Sequence, residues 1–332
     1  MKILITGVHG FVGSNLVKAL SKEHIIYGLD IISPLKEGVR FTFSWDFLDK
    51  PNEIPDVDAI IHLAGKAHDT KNQSAADVYF KVNTELTKKV FDYFLAHERI
   101  KKFVFFSTAK AAADKVDGIL TEDVVPSPVG PYGESKIAAE NYILCKFKEF
   151  NGLSSLREDA LEPLEHLKPT SKDVYIFRPC MIHGPGNKGN LNLLYNVVKK
   201  GIPWPLGAFE NRRTFTSIEN ICFAVNGVLT KDVPSGIYNM GDDEALSTNE
   251  LIEEICKSLG KKAHIWKLPK GLMNGVAKVG GLLHLPLNPE RLRKLTENYI
   301  SSNEKIKKAL GVEKMPIDAK TGLKVTLESF RK

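Results

Sequence analysis

No Cys-x-x-Cys pair occurs in this chain, and its four cysteines (Cys145, Cys180, Cys222 and Cys256) lie far apart. That spacing argues against a structural zinc site and a disulfide framework, so no metal is expected, and it fits reduced thiols in a cytosolic protein. No apolar run reaches membrane-spanning length. The nearest, over 271–287, is interrupted by Lys278, His284 and Pro286. The opening residues Met1-Lys2-Ile3-Leu4-Ile5 run straight into a strand pattern, so no signal peptide is expected and a cytoplasmic location is. A basic tail is also missing. The net charge of +6 is spread along the chain, which argues against nucleic acid as a partner. Internal repeats and low-complexity segments are absent. What remains is 332 residues, 43% hydrophobic and 26% charged: ordinary globular composition, long enough for a large core and a smaller lobe.

Ile3-Leu4-Ile5 reads as a buried parallel strand. Thr6-Gly7-Val8-His9-Gly10-Phe11-Val12-Gly13 follows, and then a helix pattern with Phe11, Leu16, Val17 and Leu20 on its apolar side. Glycines at Gly7, Gly10 and Gly13 permit a tight turn between strand and helix. They also let the backbone, through Phe11 and Val12, approach a pyrophosphate at the helix N-terminus, where the dipole favours anions. The second strand, Ile25–Leu29, ends in Asp30, 23 residues after Gly7. A carboxylate at that distance suits the adenosine ribose hydroxyls and repels a 2′-phosphate, so NAD is expected over NADP; the alternative is a turn cap. A third strand, Phe41–Phe43, precedes Asp46, a carboxylate in reach of an adenine amino group. A fourth, starting at Ala59, ends in Leu63-Ala64-Gly65, whose small residues let a cofactor pass close by. His62, inside that apolar run, reads as a packed histidine. Asp77–Phe94 is a long helix with Val78, Val82, Leu86, Val90 and Phe94 on one face, and Asn83 within it is placed to organise a water or a backbone turn.

The fifth strand, Lys102–Phe106, ends in Ser107-Thr108-Ala109. Ligands of open α/β sheets bind beyond such carboxyl ends. A Pro-rich loop leads to Pro131, a residue suited to a first helical turn, and to Tyr132-Gly133-Glu134-Ser135-Lys136. Tyr132 and Lys136 are four residues apart and share one helix face. A free phenol titrates near ~10, so a base working near pH ~7 needs roughly 4 kcal/mol of help. A cation about 4 Å away supplies a comparable amount. The Thr108 hydroxyl then bonds the same substrate oxygen that Tyr132 deprotonates.

Taken together, Thr6-Gly7-x-x-Gly10-Phe11-x-Gly13, Asp30, His62-Leu63-Ala64-Gly65, Asn83, Ser107-Thr108 and Tyr132-x-x-x-Lys136 resemble the extended short-chain dehydrogenase/reductase family of nucleotide-sugar epimerases, dehydratases and reductases. The resemblance implies an α/β fold: a Rossmann-like, doubly wound parallel sheet over 1–180 with parts of 210–242, and a smaller C-terminal substrate lobe in the rest of 181–332. It implies NAD as cofactor, held by Gly7, Gly10, Phe11, Val12, Gly13, Asp30, Asp46, Leu63, Ala64, Gly65, Asn83, Tyr132 and Lys136. It implies Tyr132 as base or acid, Lys136 as its electrostatic partner and ribose ligand, and Thr108 as third member. Within the family, Ala64-Gly65-Lys66-Ala67-His68, 185–190 and 211–217 are similar to the bacterial polysaccharide branch of UDP-hexose and UDP-N-acetylhexosamine 4-epimerases and 4-keto reductases. Ala111-Ala112-Ala113 departs from it, since relatives often carry Tyr-Gly or Asn-Gly there.

For a UDP-sugar partner, the likeness brings in Lys66. Asn190, at the opening of a helix, and Arg213, whose guanidinium is shaped to grip a diphosphate, join it; a solvated surface role is the alternative for Arg213. Arg291 is a further diphosphate candidate, with Arg293 competing. Arg178 is expected as a buried ion-pair partner and His183 as a candidate near the site. Residues 151–172 read as a surface excursion. Helices are expected at Ser247–Leu259 behind a capping box, at 271–285, at 289–298 and at Ala319–Phe330. Relatives pair through two long helices, here 75–96 and 132–150, so a homodimer is expected, although the apolar residues there fit an ordinary core equally well. The activity expected is a UDP-sugar 4-epimerase. A 4-keto reductase of a UDP-4-keto-6-deoxy sugar is the alternative, and a non-catalytic dinucleotide-binding protein the third reading.

Overall fold

Short apolar runs alternating with amphipathic segments build the expected α/β order in the computed structural model, which describes residues 1–49, 56–66, 75–152, 171–187, 189–283 and 287–331. The first half runs β1 (Lys2–Thr6), α1 (Phe11–Leu20), β2 (Ile25–Leu29), β3 (Val39–Phe43), a 3-10 turn (Trp45–Asp49) and β4 (Ala59–His62). One continuous helical run follows as α2 (Ala76–Tyr79), a π-helical turn (Phe80–Glu85) and α3 (Leu86–Ala96). Next come β5 (Lys102–Phe106), α4 (Ala109–Ala112), β6 (Ile119–Leu120) and α5 (Pro131–Phe150). The second half adds β7 (Asp173–Pro179), β8 (Met181–His183), α6 (Asn190–Lys199), β9 (Phe215–Ser217), α7 (Ile218–Thr230) and β10 (Gly236–Met240). It closes with α8 (Thr248–Ser258), α9 (Lys270–Leu282), α10 (Pro289–Thr296), β11 (Ile300–Ser301), α11 (Glu304–Leu310) and α12 (Ala319–Ser329). Most of the excursion expected over 151–172, together with Ala67, His68, Lys188 and residues 284–286, lies outside the described residues.

Seven strands form one parallel sheet in the order β10-β7-β5-β4-β1-β2-β3. The order reverses between β1 and β4, so their carboxyl ends open a crevice for a ligand. The inner strands are apolar on both faces because helices cover both, whereas the edge strand β3 exposes Arg40 and Phe41. Ile3, Ile5, Val104 and Tyr175 pack under α1 and α7, while Leu4, Ile60, Phe103 and Phe105 pack under α3 and α5. A third core joins α6, α8, α9, α10 and α12 through Leu191, Trp204, Leu251, Met273, Leu292 and Leu323. The stretch holding α11 returns to the sheet, where Ile306, Leu310 and Met315 join the first core.

Two local expectations are revised. The helix after β4 does not bury the stripe Val78–Val82–Leu86; Val78 is exposed, and the buried residues are Tyr79, Asn83, Thr84, Thr87, Val90, Phe91, Tyr93 and Phe94. The wider π turn rotates the first half relative to the second and turns three polar side chains inward, a register that a 3.6-residue period cannot anticipate. The short helix α4 was also unexpected. Thr108 caps it, its Oγ1 accepting from Lys110 N at 3.3 Å. The capping box of α8 is present: Glu250 N donates to Ser247 Oγ at 3.0 Å and Ser247 N to Glu250 Oε2 at 2.8 Å. At the carboxyl end of α3, the buried Lys172 ammonium donates to the carbonyls of Phe94, His97 and Ile100.

Candidate active site

The site begins where β5 ends. Because Thr108 Oγ1 already accepts from Lys110 N, its proton is left to donate, and the Tyr132 hydroxyl is hydrogen-bonded to it. Pro131 opens α5 and sets Tyr132 in the first turn; one turn later Lys136 is 5% exposed. Lys136 Nζ donates to Phe106 O at 2.8 Å and lies 4.8 Å from the centre of the Phe105 ring. Burial pulls its pKa down to about 8, opposed by Glu140, one turn further along α5.

Glu140 was not foreseen, although its i+4 spacing from Lys136 was visible. It is fully buried and ion-paired with Arg178 on β7, whose Nε and Nη2 both donate to the carboxylate. Ser107, the neighbour of Thr108, donates to the same carboxylate. Thus β5, β7 and α5 are bolted together directly behind the Thr108–Tyr132 pair.

The electrostatics differ from the expectation. A lysine at i+4 was expected to bring the phenol toward neutrality. Instead burial raises the Tyr132 pKa; the Thr108 hydrogen bond opposes that shift and Tyr79 adds to it. Desolvation outweighs hydrogen bonding at this enclosed phenol. Tyr79 packs edge-on at 6.3 Å, and Lys66 Nζ lies 5.8 Å from the centre of the Tyr79 ring. Tyr79 escaped the sequence reading because the π turn decides which way it faces.

On the other side of the crevice, Gly7 adopts φ +69°, and a Cβ at Gly13 would overlap the Gly7 carbonyl. The loop is therefore closed as tightly as glycine allows. Phe11 and Val12 lie in the first turn of α1, which carries no acidic residue to oppose an anion. Asp30 accepts from His9 N at 3.0 Å and Ile31 N at 2.8 Å, so it braces the glycine loop as well as ending β2. Lys36, another residue the sequence reading missed, donates to Ser14 Oγ at 2.7 Å and is drawn to Asp30. Asp46 sits exposed in the turn after β3, bonded to Ser44 at 3.4 Å. Leu63 and Ala64 donate to Thr6 Oγ1, and a Cβ at Gly7 would come within 3.0 Å of Ala64 N. A Cβ at Gly65 would lie 2.9 Å from Asn83 Oδ1 and 3.2 Å from Lys136 Nζ. Asn83 holds this loop through Lys66 N (2.7 Å) and Lys66 O (3.2 Å), and reaches α5 through Ser135 Oγ (3.0 Å). Bare glycine backbone, a helix N-terminus free of acid and a carboxylate at the end of β2 fit a dinucleotide.

The lobe residues divide. Arg213 is mostly enclosed, its Nη1 donating to Lys294 O at 2.6 Å, and burial lowers its pKa. Arg293, not Arg291, is the arginine of α10 that turns toward the site, pairing with Asp114, six residues past Thr108, and with Glu297. Arg291 lies on the exposed face, because residues two apart on a helix point about 200° apart. Asn190 is exposed at the first position of α6. His183 is a structural residue, bonded to Thr326 at 2.9 Å and 3.6 Å from Asp242. Arg178 is the buried ion-pair partner expected. A cavity of about 590 Å³ is lined by Arg212, Glu244, Glu250, Asp318 and Lys320 among others, and its three acids each accept from a backbone N–H group.

Residues 3–241 match the model of the NAD dependent epimerase/dehydratase family. A UDP-glucose 4-epimerase of Vibrio cholerae is 30% identical over 288 residues, covering 80% of this chain and 78% of its own. An N-acetyl-α-D-glucosaminyl-diphospho-ditrans,octacis-undecaprenol 4-epimerase of Escherichia coli O157:H7 is 26% identical over 285 residues, covering 82% and 77%. The crystal structure of UDP-N-acetylglucosamine 4-epimerase from Bacillus cereus superposes over 100% of both chains with a TM-score of 0.74 at 21% identity, a likeness of fold.

Proposed function

The chain belongs to the NAD-dependent epimerase/dehydratase family, and on that premise we propose that this enzyme is a UDP-sugar 4-epimerase working through a transient 4-keto sugar. The observation that carries the reading is the Thr108–Tyr132 hydrogen bond at the carboxyl end of β5, with Lys136 one turn further on and against Gly65. NAD, when bound, supplies the hydride acceptor, the donor for the return, and a cationic ring that favours an ionised phenol. Tyr132 takes the proton from the sugar 4-hydroxyl and later gives it back. Thr108 donates to the same oxygen and fixes its position. Lys136, held by Phe106 O and lying against Gly65, would hold the ribose of the bound dinucleotide. Between the two transfers the sugar turns over, so the lobe must hold it by its diphosphate and leave the ring free. We assign that hold to Arg213, with Arg293 released from Asp114 as the second guanidinium, and to Lys66 beside Tyr79.

Loss of water from the sugar would call for a second acid–base pair beside the phenol. The helix after Thr108 offers Ala109, Ala111 and Ala112 there, and Lys110 is committed to Asp114. That supports epimerisation over dehydration. The test is incubation of the purified chain with UDP-glucose, UDP-galactose, UDP-GlcNAc and UDP-GalNAc without added NADH. Interconversion of one pair of epimers is the expected result. Turnover of a 4-keto sugar alone, with stoichiometric loss of NADH, would replace the proposal with a reductase. Inertness toward every sugar despite NAD binding would leave a dinucleotide-binding protein.

A further inference from the structure

We propose that α9 is a docking face for an anionic lipid bilayer, which the chain binds from the side without crossing. Among the described residues no helix is long and apolar enough to cross a membrane. Helix α9 nevertheless exposes an apolar stripe. Met273, Ala277 and Gly280 face the lobe core, whereas Leu272 (55% exposed), Val276 (46%) and Val279 (56%) follow one another at i, i+4 and i+7 on an outer face, with Leu283 (60%) next in register. Trp266, on the segment leading into the helix, is 54% exposed. The helix spans about 20 Å at ~1.5 Å per residue, a length that lies in an interface and does not span one.

Charge decides what covers this face. Residues 261–289 contain Lys261, Lys262, Lys267, Lys270 and Lys278 and no Asp or Glu, so the segment around this stripe is locally positive. All five lysines are exposed. An apolar stripe flanked by ammonium groups, with a tryptophan at its border, is complementary to acyl chains beneath a layer of anionic headgroups. A second copy of this chain is a poor occupant. A two-fold contact sets a patch against itself and would press these lysines against their counterparts with no acid between them. The proposal does not depend on the sugar chemistry above.

The test is flotation of the full chain with vesicles of phosphatidylglycerol and phosphatidylcholine, beside vesicles of phosphatidylcholine alone. The expected result is recovery with the anionic vesicles only, reversed in about 1 M salt, where the Debye length falls to about 3 Å. Each lysine neutralised, as in Lys278→Gln or Lys267→Gln, weakens the affinity for anionic vesicles about fivefold. Leu272→Glu with Val276→Glu abolishes flotation while melting and NAD binding stay as in the parent; both residues are exposed and lie outside the site. Failure to float with anionic vesicles at low salt overturns the proposal. So does concentration-dependent self-association that the same double variant removes, which would make the face a contact between chains.

Discussion

His62 can be given a tautomer by counting hydrogens. Thr6 Oγ1 accepts from the N–H groups of Leu63 and Ala64, so its own proton goes to His62 Nδ1 at 2.7 Å. Nε2–H then donates to Thr87 Oγ1 at 3.0 Å, and Thr87 donates to Asn83 O at 2.6 Å. The ring is neutral, fully buried, and its pKa is pulled down to about 3, chiefly by burial and also by Lys136. Unfolded histidine binds a proton near pH 6.5, so the neutral ring contributes stability that is whole above that pH and is lost as pH falls toward 3. The loss is about 2 kcal/mol by pH 5. Gln can accept from Thr6 and donate to Thr87 without titrating. His62→Gln should flatten the decline in urea midpoint between pH 6.5 and 3, and an unaltered decline would mean another group drives it. For Tyr132, burial raises the pKa of the free protein, so the phenol waits in its protonated form and depends on the cofactor's charge. Tyr132→Phe should keep NAD affinity, measured by fluorescence titration, and lose roughly 10²–10⁴-fold in turnover; near-normal turnover would take the phenol out of the reaction.

The run α2–π turn–α3 does at the level of an element what His62 does at one position. Its π turn brings Asn83, Thr84 and Thr87 inward together, and each ties down a different piece: the Gly65–Lys66 loop and α5, the Ser135 carbonyl, and the His62 relay. Ser135 in turn donates to Tyr132 O, so the loop after β4 and the start of α5 are positioned by one amide. Asn83→Ala would leave the buried Ser135 hydroxyl with only its bond to Tyr132 O and take both side-chain bonds from the Lys66 backbone, at about 1–3 kcal/mol. The expected outcome is a lower melting temperature together with weaker NAD binding, and Asn83→Asp should recover only the Lys66 N–H bond. NAD affinity equal to the parent in Asn83→Ala would show that the loop holds itself. These examples mark how much was legible. Gly7–Gly13, Asp30 and the Tyr132–Lys136 pair could be read because each depends on spacing within one strand–turn–helix or one helix face. Tyr79 and the inward turn of Asn83 depend on one extra residue in a helical turn, and nothing in a 3.6-residue pattern announces it.

At the scale of the molecule, the doubly wound parallel sheet followed from alternating strands and helices, but the way the lobe is fastened did not, because its contacts join residues far apart in sequence. Tyr299 donates to Ala113 O at 2.9 Å, 186 residues away, and its ring fills the space over Ala109, Ala112 and Ala113. That ring lies where Ala111-Ala112-Ala113 departs from the Tyr-Gly or Asn-Gly of relatives. Lys110 Nζ sits 4.6 Å over the same ring, Arg293 grips Asp114, and β6 pairs with β11. Behind Thr108, then, the sheet and the lobe share one packed seam. The chain also crosses it repeatedly: α7 and β10 interrupt the lobe after β9, and α11 interrupts it before α12. A lobe assembled from such pieces cannot keep its core once the sheet opens, so the two should unfold in a single calorimetric transition. Tyr299→Phe leaves the buried Ala113 carbonyl without that donor, a loss of about 1–2 kcal/mol. The transition should move down by about 2–4 °C and stay single. Two resolved transitions, in the parent or the variant, would show that the lobe folds on its own and that the seam is only a contact between finished parts.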